Sequence, residues 1–142
     1  MLISEVIKLG QTRSDNTDSF MKEYYELTQP HPFNNRARIY GHSVLEVYPI
    51  LKEIHISDIM TMSPQSGAGT QALQMLTGLA DKHRVILDGL AKAYSRDSRY
   101  ITDTEQLVKW YIKHGFVVDD EFVDDPSDLE GYEEINIKYY PK

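Results

Sequence analysis

Hydrophobic residues recur along this chain with two different periods, and each period predicts a different kind of element. Alternating apolar and polar residues, or a short apolar run, predict strands at residues 2–8, 36–40, 43–50, 53–62, 85–87, 116–118 and 135–140. Apolar residues three and four positions apart predict helices at residues 17–28 and 70–83, and a third helix that ends at residue 114. For the third helix, Thr102 and Glu105 fit a capping box, and Gly115 fits a left-handed C-terminal stop.

This order of elements predicts a mixed α and β fold (α+β) in a single domain that covers residues 1–142. We expect a central twisted sheet that is antiparallel at its start and parallel around one βαβ unit, with helices on both faces. The helix at 70–83 would form the crossover of that unit, which is right-handed by default.

The apolar phase slips within the predicted strand at 53–62. Ile54 and Ile56 share one phase of the alternation, whereas Ile59 takes the other. A β-bulge near Ser57 and Asp58 would restore all three isoleucines to the same face of the sheet. The sequence therefore predicts a local disruption of strand pairing at this point.

Composition excludes several classes of site. The chain has no cysteine, which excludes disulfides, thiolate nucleophiles and cysteine-ligated zinc, and its histidines lack metal-ligand spacing, so no metal is expected. No apolar run approaches the roughly 20 residues that span a membrane. The first residues lack the basic and apolar regions of a signal peptide, so a cytoplasmic protein without a membrane partner is expected.

The charge of the chain is negative and uneven. A net charge of −7 argues against a general affinity for nucleic acid. Acidic residues crowd the stretch between Asp119 and Glu134. This stretch fits a solvated hairpin loop, and it also fits a negative field that attracts a cationic amine.

A glycine-rich loop, Ser66-Gly67-Ala68-Gly69-Thr70, stands between a predicted strand and a predicted helix. A helix N-terminus offers free backbone N–H groups and the positive end of the dipole. Glycine lets such a backbone approach a phosphate closely. On its own, the same pattern also fits a tight turn.

The loop and the third helix together resemble the GNAT superfamily of acyl-CoA-dependent N-acyltransferases. The family's helix ends with an aromatic pair before a Gly-Phe step, which here reads Trp110-Tyr111 and Gly115-Phe116. The resemblance implies the element order β-α-α-β-β-β-α-β-α-β-β. It implies transfer of an acetyl group from acetyl-CoA, as co-substrate, to a primary amine of a small molecule or protein. Dimers are common in the family, so a homodimer is the assembly to test.

The resemblance also implies a cofactor site. In the family, the loop holds the pyrophosphate of coenzyme A, and the backbone of the preceding strand pairs with the pantetheine arm. The cofactor-binding residues that it implies are Ile59, Met60, Thr61, Ser66, Gly67, Ala68, Gly69, Thr70 and Gln71.

Catalytic roles follow from the same resemblance. Tyr111 stands four residues before Gly115, where the family has the tyrosine that gives a proton to the departing thiolate. The general base would be Glu53 in one register and His55 in the other, and a histidine titrates near neutral pH. Asp58, at the predicted bulge, is a third option for the base.

Two alternatives remain. The run from Gly67 to Ala72 also fits G-x-G-x-x-A, and Asp88 follows about 20 residues later, as in Rossmann-like domains that bind NAD or S-adenosylmethionine. The second alternative is a GNAT-like protein that binds without catalysis, because the loop lacks the family's Arg or Gln.

Overall fold

The computed structural model describes residues 16–61, 67–93 and 103–142. Helix α1 covers residues 16–27 within these ranges. The other elements, in chain order, are β1 (Gln29–Pro30), β2 (Arg38–Tyr40), β3 (Ser43–Ile50), β4 (Glu53–Thr61), α2 (Ala68–His83), β5 (Ile86–Lys92), α3 (Thr104–Lys113), β6 (Val117–Val118) and β7 (Glu134–Tyr139). The strand predicted at residues 2–8 lies outside the described residues.

The described strands form one seven-stranded sheet in the order β1-β2-β3-β4-β5-β7-β6. Neighbouring strands are antiparallel except β4 and β5, which are parallel and joined through α2. This arrangement confirms the predicted mixed sheet with a single βαβ unit.

The helices in the described ranges pack on one face of the sheet. The buried residues of α1, α2 and α3 join those of the sheet in one hydrophobic core. Both crossovers, through α2 and through α3, advance in the same direction across the sheet, so two right-handed connections put both helices on the same side. The opposite face, called the open face below, carries half-buried and exposed side chains among the residues that the structure describes.

The core explains which face of each strand is buried. Leu45 and Val47 of β3, and Ile54 and Ile56 of β4, lie at or near full burial beneath Leu73 of α2 and its neighbours. Burying one such side chain contributes about 1.5–3 kcal/mol. Burial of the inward-facing residues thus fixes the register of the strands. The residues on the other face do not determine the register and can serve in binding or catalysis.

A β-bulge interrupts the pairing of β3 with β4, as the phase slip predicts. Glu46 pairs with Asp58 and Val47 pairs with Ile56, so Ser57 is the extra residue. Cross-strand partners share a face, so Asp58 lies on the open face beside Glu46. Without the extra residue, the alternation would turn Asp58 toward the core.

β4 and β5 pair along only part of their length. Their register runs from Glu53 opposite Ile86 to Ile56 opposite Gly89, and both strands continue past this last pair without pairing to each other. We call this divergence the splay. At its apex, a Cβ on Gly89 would lie 3.4 Å from the carbonyl oxygen of Ile56, so glycine permits the last close approach.

Both ends of α3 are defined by hydrogen bonds. Its N-cap is Asp103, whose carboxylate accepts the N–H of Gln106 at 2.7 Å, so the predicted capping box is corrected; Thr102 lies outside the described residues. An extended aspartate reaches the N3 amide directly. At the C-terminus, Gly115 has a φ of 96°, which confirms the predicted glycine stop.

The stop of α3 fixes the side chain of Tyr111. Phe116 N–H donates to the carbonyl of Tyr111 at 3.1 Å, and Gly115 N–H donates to that of Ile112 at 3.0 Å, which is the Schellman pattern. The rings of Tyr111 and Phe116 lie 5.1 Å apart in an edge-to-face contact. The chain reversal after α3 therefore holds the phenol in place.

Candidate cofactor and catalytic site

The N-terminus of α2 is suited to hold an anion. Its N-cap, Gly67, has a φ of 83° and no capping side chain, and its first turn has no acidic residue. The first helical hydrogen bond runs from Gln71 N–H to the carbonyl of Gly67 at 3.0 Å, so the amides of Gly69 and Thr70 precede it. Amides in that position, at the positive end of a helix dipole, form a phosphate site.

The predicted cofactor residues around this turn differ in placement. Ala68, Gly69 and Thr70 form the first turn of the helix rather than a loop, because the helix begins two residues earlier than its apolar pattern. Gln71 is exposed on the surface. Ser66 lies outside the described residues.

Three elements meet at Gly69. A Cβ placed there would lie 3.1 Å from Cγ2 of Thr61, at the end of β4, and 3.7 Å from the ring of Trp110 on α3. The indole Nε1 of Trp110 donates to Oγ1 of Thr70 at 3.3 Å. Gly69 thus lets α2 start close to β4, and the hydrogen bond of Trp110 to Thr70 joins α3 to the same helix start.

Tyr111 is buried beside this junction, with 8% of its surface exposed. Its ring lies 4.9 Å from that of Trp110. Burial raises the pKa of the Tyr111 phenol above its ordinary value of about 10, and the negative charge of Asp58 raises it further. The hydroxyl is therefore protonated at neutral pH and acts as a hydrogen-bond donor.

Asp58 lies on the open face where β4 leaves β5. Burial raises the pKa of its carboxyl, and the neighbouring charge of Glu46 raises it further, while a hydrogen bond from the Ile59 backbone opposes both. The negative charge of Asp58 also contributes to the raised pKa of Tyr111.

Glu53 is held in an ion pair. Both of its carboxylate oxygens lie near Nζ of Lys138, at 3.1 and 3.3 Å. This bond raises the pKa of Lys138, which also lies 3.7 Å from Asp119. The ion pair with Lys138 occupies both carboxylate oxygens of Glu53, so the geometry favours the other predicted bases over Glu53.

His55 lies on the same open face, one residue before the apex of the splay. Its Nδ1 is hydrogen-bonded to the carboxylate of Asp88, its direct partner on β5. Its ring lies 5.2 Å from that of Tyr48, its partner on β3. The sequence pattern singled out His55 but not this contact, because the two residues are 33 positions apart on different strands.

The remaining predicted cofactor residues line one side of the splay. Ile59 and Thr61 are half-buried, whereas Met60 is 58% exposed. Their strand pairs with β3 on one side and has no partner from β5 on the other. The backbone of this segment is therefore available for pairing on its β5 side, as the resemblance requires.

The fold does not match the Rossmann-like alternative. A doubly wound sheet is built from successive parallel strands, and this one has a single parallel pair. Asp88 lies within β5, which continues to Lys92, and its carboxylate binds His55. It does not stand at a strand end where a ribose hydroxyl would be held.

The acidic C-terminal stretch makes local hydrogen bonds. Asp120 accepts the backbone N–H of Phe122 at 2.9 Å and that of Asn136 at 2.8 Å, and Asp125 accepts that of Ser127 at 3.0 Å. Such carboxylates order turns, which agrees with the solvated hairpin interpretation.

Within the described ranges, no group of three His, Asp or Glu could hold a metal ion. No helix there is long and apolar enough to cross a membrane.

Comparisons with known proteins relate the chain to solved structures alone. No protein-family model and no curated protein sequence matches it. It is similar to the anti-CRISPR protein AcrVA5, with 19% identity, a TM-score of 0.50, and coverage of 71% of this chain and 93% of that one. It is similar to a structure titled histone acetyltransferase HPA2 and related acetyltransferase from Corynebacterium glutamicum, with 12% identity, a TM-score of 0.48, and coverage of 93% and 77%. A Bacillus subtilis acetyltransferase in complex with CoA aligns with 15% identity, a TM-score of 0.43, and coverage of 90% and 86%.

Likenesses at these identities concern the fold. The strand order, the bulge and the parallel β4–β5 pair agree with the mixed sheet that the sequence predicts.

Proposed function

We propose that this chain, whose fold is GNAT-like, is an N-acetyltransferase that moves an acetyl group from acetyl-CoA to a primary amine. The observation that carries the proposal is the splay. A strand edge that β5 leaves unpaired, a helix N-terminus whose N-cap, Gly67, has no side-chain cap, and a buried tyrosine meet there. A bare turn between a strand and a helix explains none of these features together.

The co-substrate would use two backbone features. Its pyrophosphate would accept hydrogen bonds from the first turn of α2, at Gly69 and Thr70, where the helix has no competing carboxylate. Its amide-containing pantetheine arm would pair with β4 between Ile59 and Thr61 as an added strand does. Both contacts come from backbone, so the missing loop Arg or Gln is not required for them.

The reaction is a direct transfer. A base removes one proton from the ammonium group, and the freed nitrogen lone pair attacks the thioester carbonyl carbon. The tetrahedral intermediate loses a second proton from nitrogen, its carbon–sulfur bond breaks, and the thiolate leaves and is protonated. The net products are an acetamide, free coenzyme A and one proton.

Tyr111 would assist the departure of the thiolate. A free thiol has a pKa of about 8.5, and burial holds the pKa of Tyr111 above about 10, so complete proton transfer from phenol to thiolate is unfavourable. The hydroxyl instead donates a hydrogen bond to sulfur as negative charge develops. In a buried site such a bond stabilises the transition state more than it does in water.

The charges at the splay favour a cationic acceptor. Asp58 and Glu46 lie side by side on the open face, and an ammonium group beside them would relieve their mutual repulsion. This fits a primary amine that is protonated before reaction, in a small molecule or a protein.

The absence of cysteine gives the proposal a direct assay. Thiol appears in solution only from released coenzyme A, so a thiol-reactive dye reports turnover without background from the protein. We expect thiol release with acetyl-CoA and at least one amine among polyamines, amino acids and peptides, together with a mass increase of the acceptor by one acetyl group. Tight binding of acetyl-CoA without turnover on any acceptor would support the binding-protein alternative, and absence of binding would overturn the proposal.

A further inference from the structure

We propose that Asp88 is a positioning residue that holds the His55 imidazole with Nε2 free, and that His55 in this pair is the general base of the reaction. The inference rests on the proposed function, and it selects one of the three bases that the sequence leaves open. The pair has the arrangement of a nitrogen base oriented by a carboxylate, which recurs on unrelated folds.

The contact defines the tautomer. An ionised carboxylate only accepts hydrogen bonds, so Nδ1 of His55 must carry the proton that Asp88 binds. In the neutral ring, the lone pair then resides on Nε2. Among the residues that the structure describes, none forms a hydrogen bond with Nε2.

The strands hold the pair rigidly. His55 and Asp88 are opposite each other in the parallel register, immediately before the last paired position of the splay. Tyr48 packs against the imidazole from β3. A base carried on paired strands is placed more accurately than one on a loop.

The pair lies on the side from which an acceptor can approach. His55 and Asp58 both project from the open face, because the extra residue at the bulge restores the alternation between them. His55 and Asp58 thus lie on the same face of β4, two pairing positions apart along its edge with β3.

The groups around His55 leave its Nε2 open to accept a proton. The groups that face it are Tyr48 from β3, Asp88 from β5, and Glu53 two residues before it on β4, and Glu53 is neutralised by Lys138 from β7. The neutral imidazole takes a proton from the ammonium nitrogen at Nε2, and the nitrogen keeps the electron pair that attacks the carbonyl. The imidazolium then returns the proton to solvent.

A double-mutant cycle tests the pair. We expect His55→Ala to lower kcat by about 100-fold and Asp88→Ala by about tenfold or more, with unchanged affinity for acetyl-CoA by calorimetry. The double variant should be no slower than His55→Ala alone, because Asp88 acts through His55. Multiplied losses, or a His55→Ala enzyme at the wild-type rate, would overturn the proposal.

A spectroscopic readout is independent of turnover. Long-range ¹H–¹⁵N spectra of the wild type should show His55 protonated at Nδ1, assigned by loss of its signals in His55→Ala. Asp88→Ala should lose this single tautomer. A wild-type ring protonated at Nε2 would overturn the proposal even in an active enzyme. A wild type that shows the Nδ1 tautomer but does not bind acetyl-CoA would instead overturn the proposed function, and with it the role of the pair in catalysis.

The matched control is another histidine–carboxylate pair. Nε2 of His83 contacts Glu23 at 2.8 Å, at the opposite end of α2 from Gly67. Glu23→Ala removes a similar contact between α1 and α2, and we expect it to leave kcat unchanged. A loss of kcat in Glu23→Ala equal to that in Asp88→Ala would mean that both act through stability, which overturns the positioning role.

Discussion

The ionised carboxylate of Asp58 lowers the stability of the folded protein, because its surroundings disfavour a negative charge. Burial and the neighbouring Glu46 raise the pKa of its carboxyl in the folded state. The sign follows directly: as pH rises through the unfolded pKa of about 3.9, the unfolded chain ionises first, and stability falls until the folded carboxyl also ionises. At neutral pH, the folded protein therefore carries the full cost of this charge.

Asp58→Asn should therefore raise thermal stability and lower activity together. We expect a melting temperature a few degrees higher at pH 7, and a difference that disappears at pH 3, where the carboxyl is protonated in both states. The KM for a cationic acceptor should rise up to about fivefold, since a partly exposed ion pair contributes about 1 kcal/mol at most. Calorimetric melting at the two pH values and steady-state kinetics measure both effects.

Asp120 supplies the control with the opposite sign. Hydrogen bonds from the backbone of Asn136 and of Phe122 lower the pKa of its carboxyl. Its contribution to stability is present above the unfolded pKa and is lost as pH falls through the folded pKa. Asp120→Asn should thus lower the melting temperature at pH 7, and equal shifts of the same sign in both variants would contradict the assignment of Asp58.

Tyr111→Phe should affect turnover rather than binding. Removing the hydroxyl leaves the ring contacts with Trp110 and Phe116, so we expect kcat to fall by about 100-fold with KM for acetyl-CoA nearly unchanged. Tyr24→Phe is the matched control, because the Tyr24 hydroxyl is buried and forms no hydrogen bond with any residue that the structure describes. Kinetics on both variants decide the matter: turnover of Tyr111→Phe at the wild-type rate would make the phenol a packing residue.

At the residue scale, the sequence predicts features within one strand, such as the bulge, and misses contacts between side chains on two strands. The slip between Ile56 and Ile59 located the bulge, because alternation within a strand is local. The contact of His55 with Asp88 depends on the register of two strands that are joined through a whole helix, and no local pattern contains it. For the same reason, the ion pair that occupies Glu53 was not foreseen.

At the scale of elements, α2 carries two glycines in different surroundings. Gly69 faces Thr61 and Trp110, whereas a Cβ at Gly78 would meet nothing within 4 Å. Both should gain about 1 kcal/mol of helix propensity as alanine. At Gly69 that gain is offset by the methyl group of Thr61.

Gly69→Ala should weaken acetyl-CoA binding about tenfold or more, because the added methyl group would press on Thr61, contact Trp110 and shift the helix start whose amides must hold the phosphate. Gly78→Ala should raise stability by about 1 kcal/mol and leave the affinity unchanged. Titration calorimetry and denaturant melts compare the two variants. Equal affinities in both would place the pyrophosphate elsewhere.

The boundaries of β5 show that pairing with a neighbouring strand can override low intrinsic strand propensity. The pattern predicts a strand at 85–87, but β5 extends to Lys92, because β7 pairs with it from Leu87 to Lys92. Glycine and alanine are poor strand formers, so sequence alone ends the strand early. By contrast, β3 matches its predicted bounds, since burial alternates from Ser43 to Val47 and apolar residues continue to Ile50.

For the molecule as a whole, binding of the co-substrate should appear as added stability. Acetyl-CoA at about 100 times its dissociation constant should stabilise the fold by about 2.7 kcal/mol. NAD and S-adenosylmethionine should give no shift, because the sheet lacks the doubly wound order that holds them. Thermal melts with the three ligands test this. A shift with NAD alone would contradict the acyltransferase proposal.

The antiparallel start of the sheet and its parallel βαβ unit were predictable because they follow from element order and the handedness of crossovers. The place of β7 between β5 and β6 was not predicted, since it depends on pairing between strands that are distant in the chain. Periodicity states that a helix has an apolar side, but not which side of the sheet receives it.

The splay also has a mechanical consequence. Four paired positions between β4 and β5 are the backbone seam that joins the two halves of the described sheet, and the seam stops midway. A sheet bends most easily where the pairing of two strands ends, and here that point lies at Ile56 and Gly89. A ligand that pairs along the free part of β4 would stiffen the hinge between the halves, so substrate occupancy and the shape of the sheet would change together.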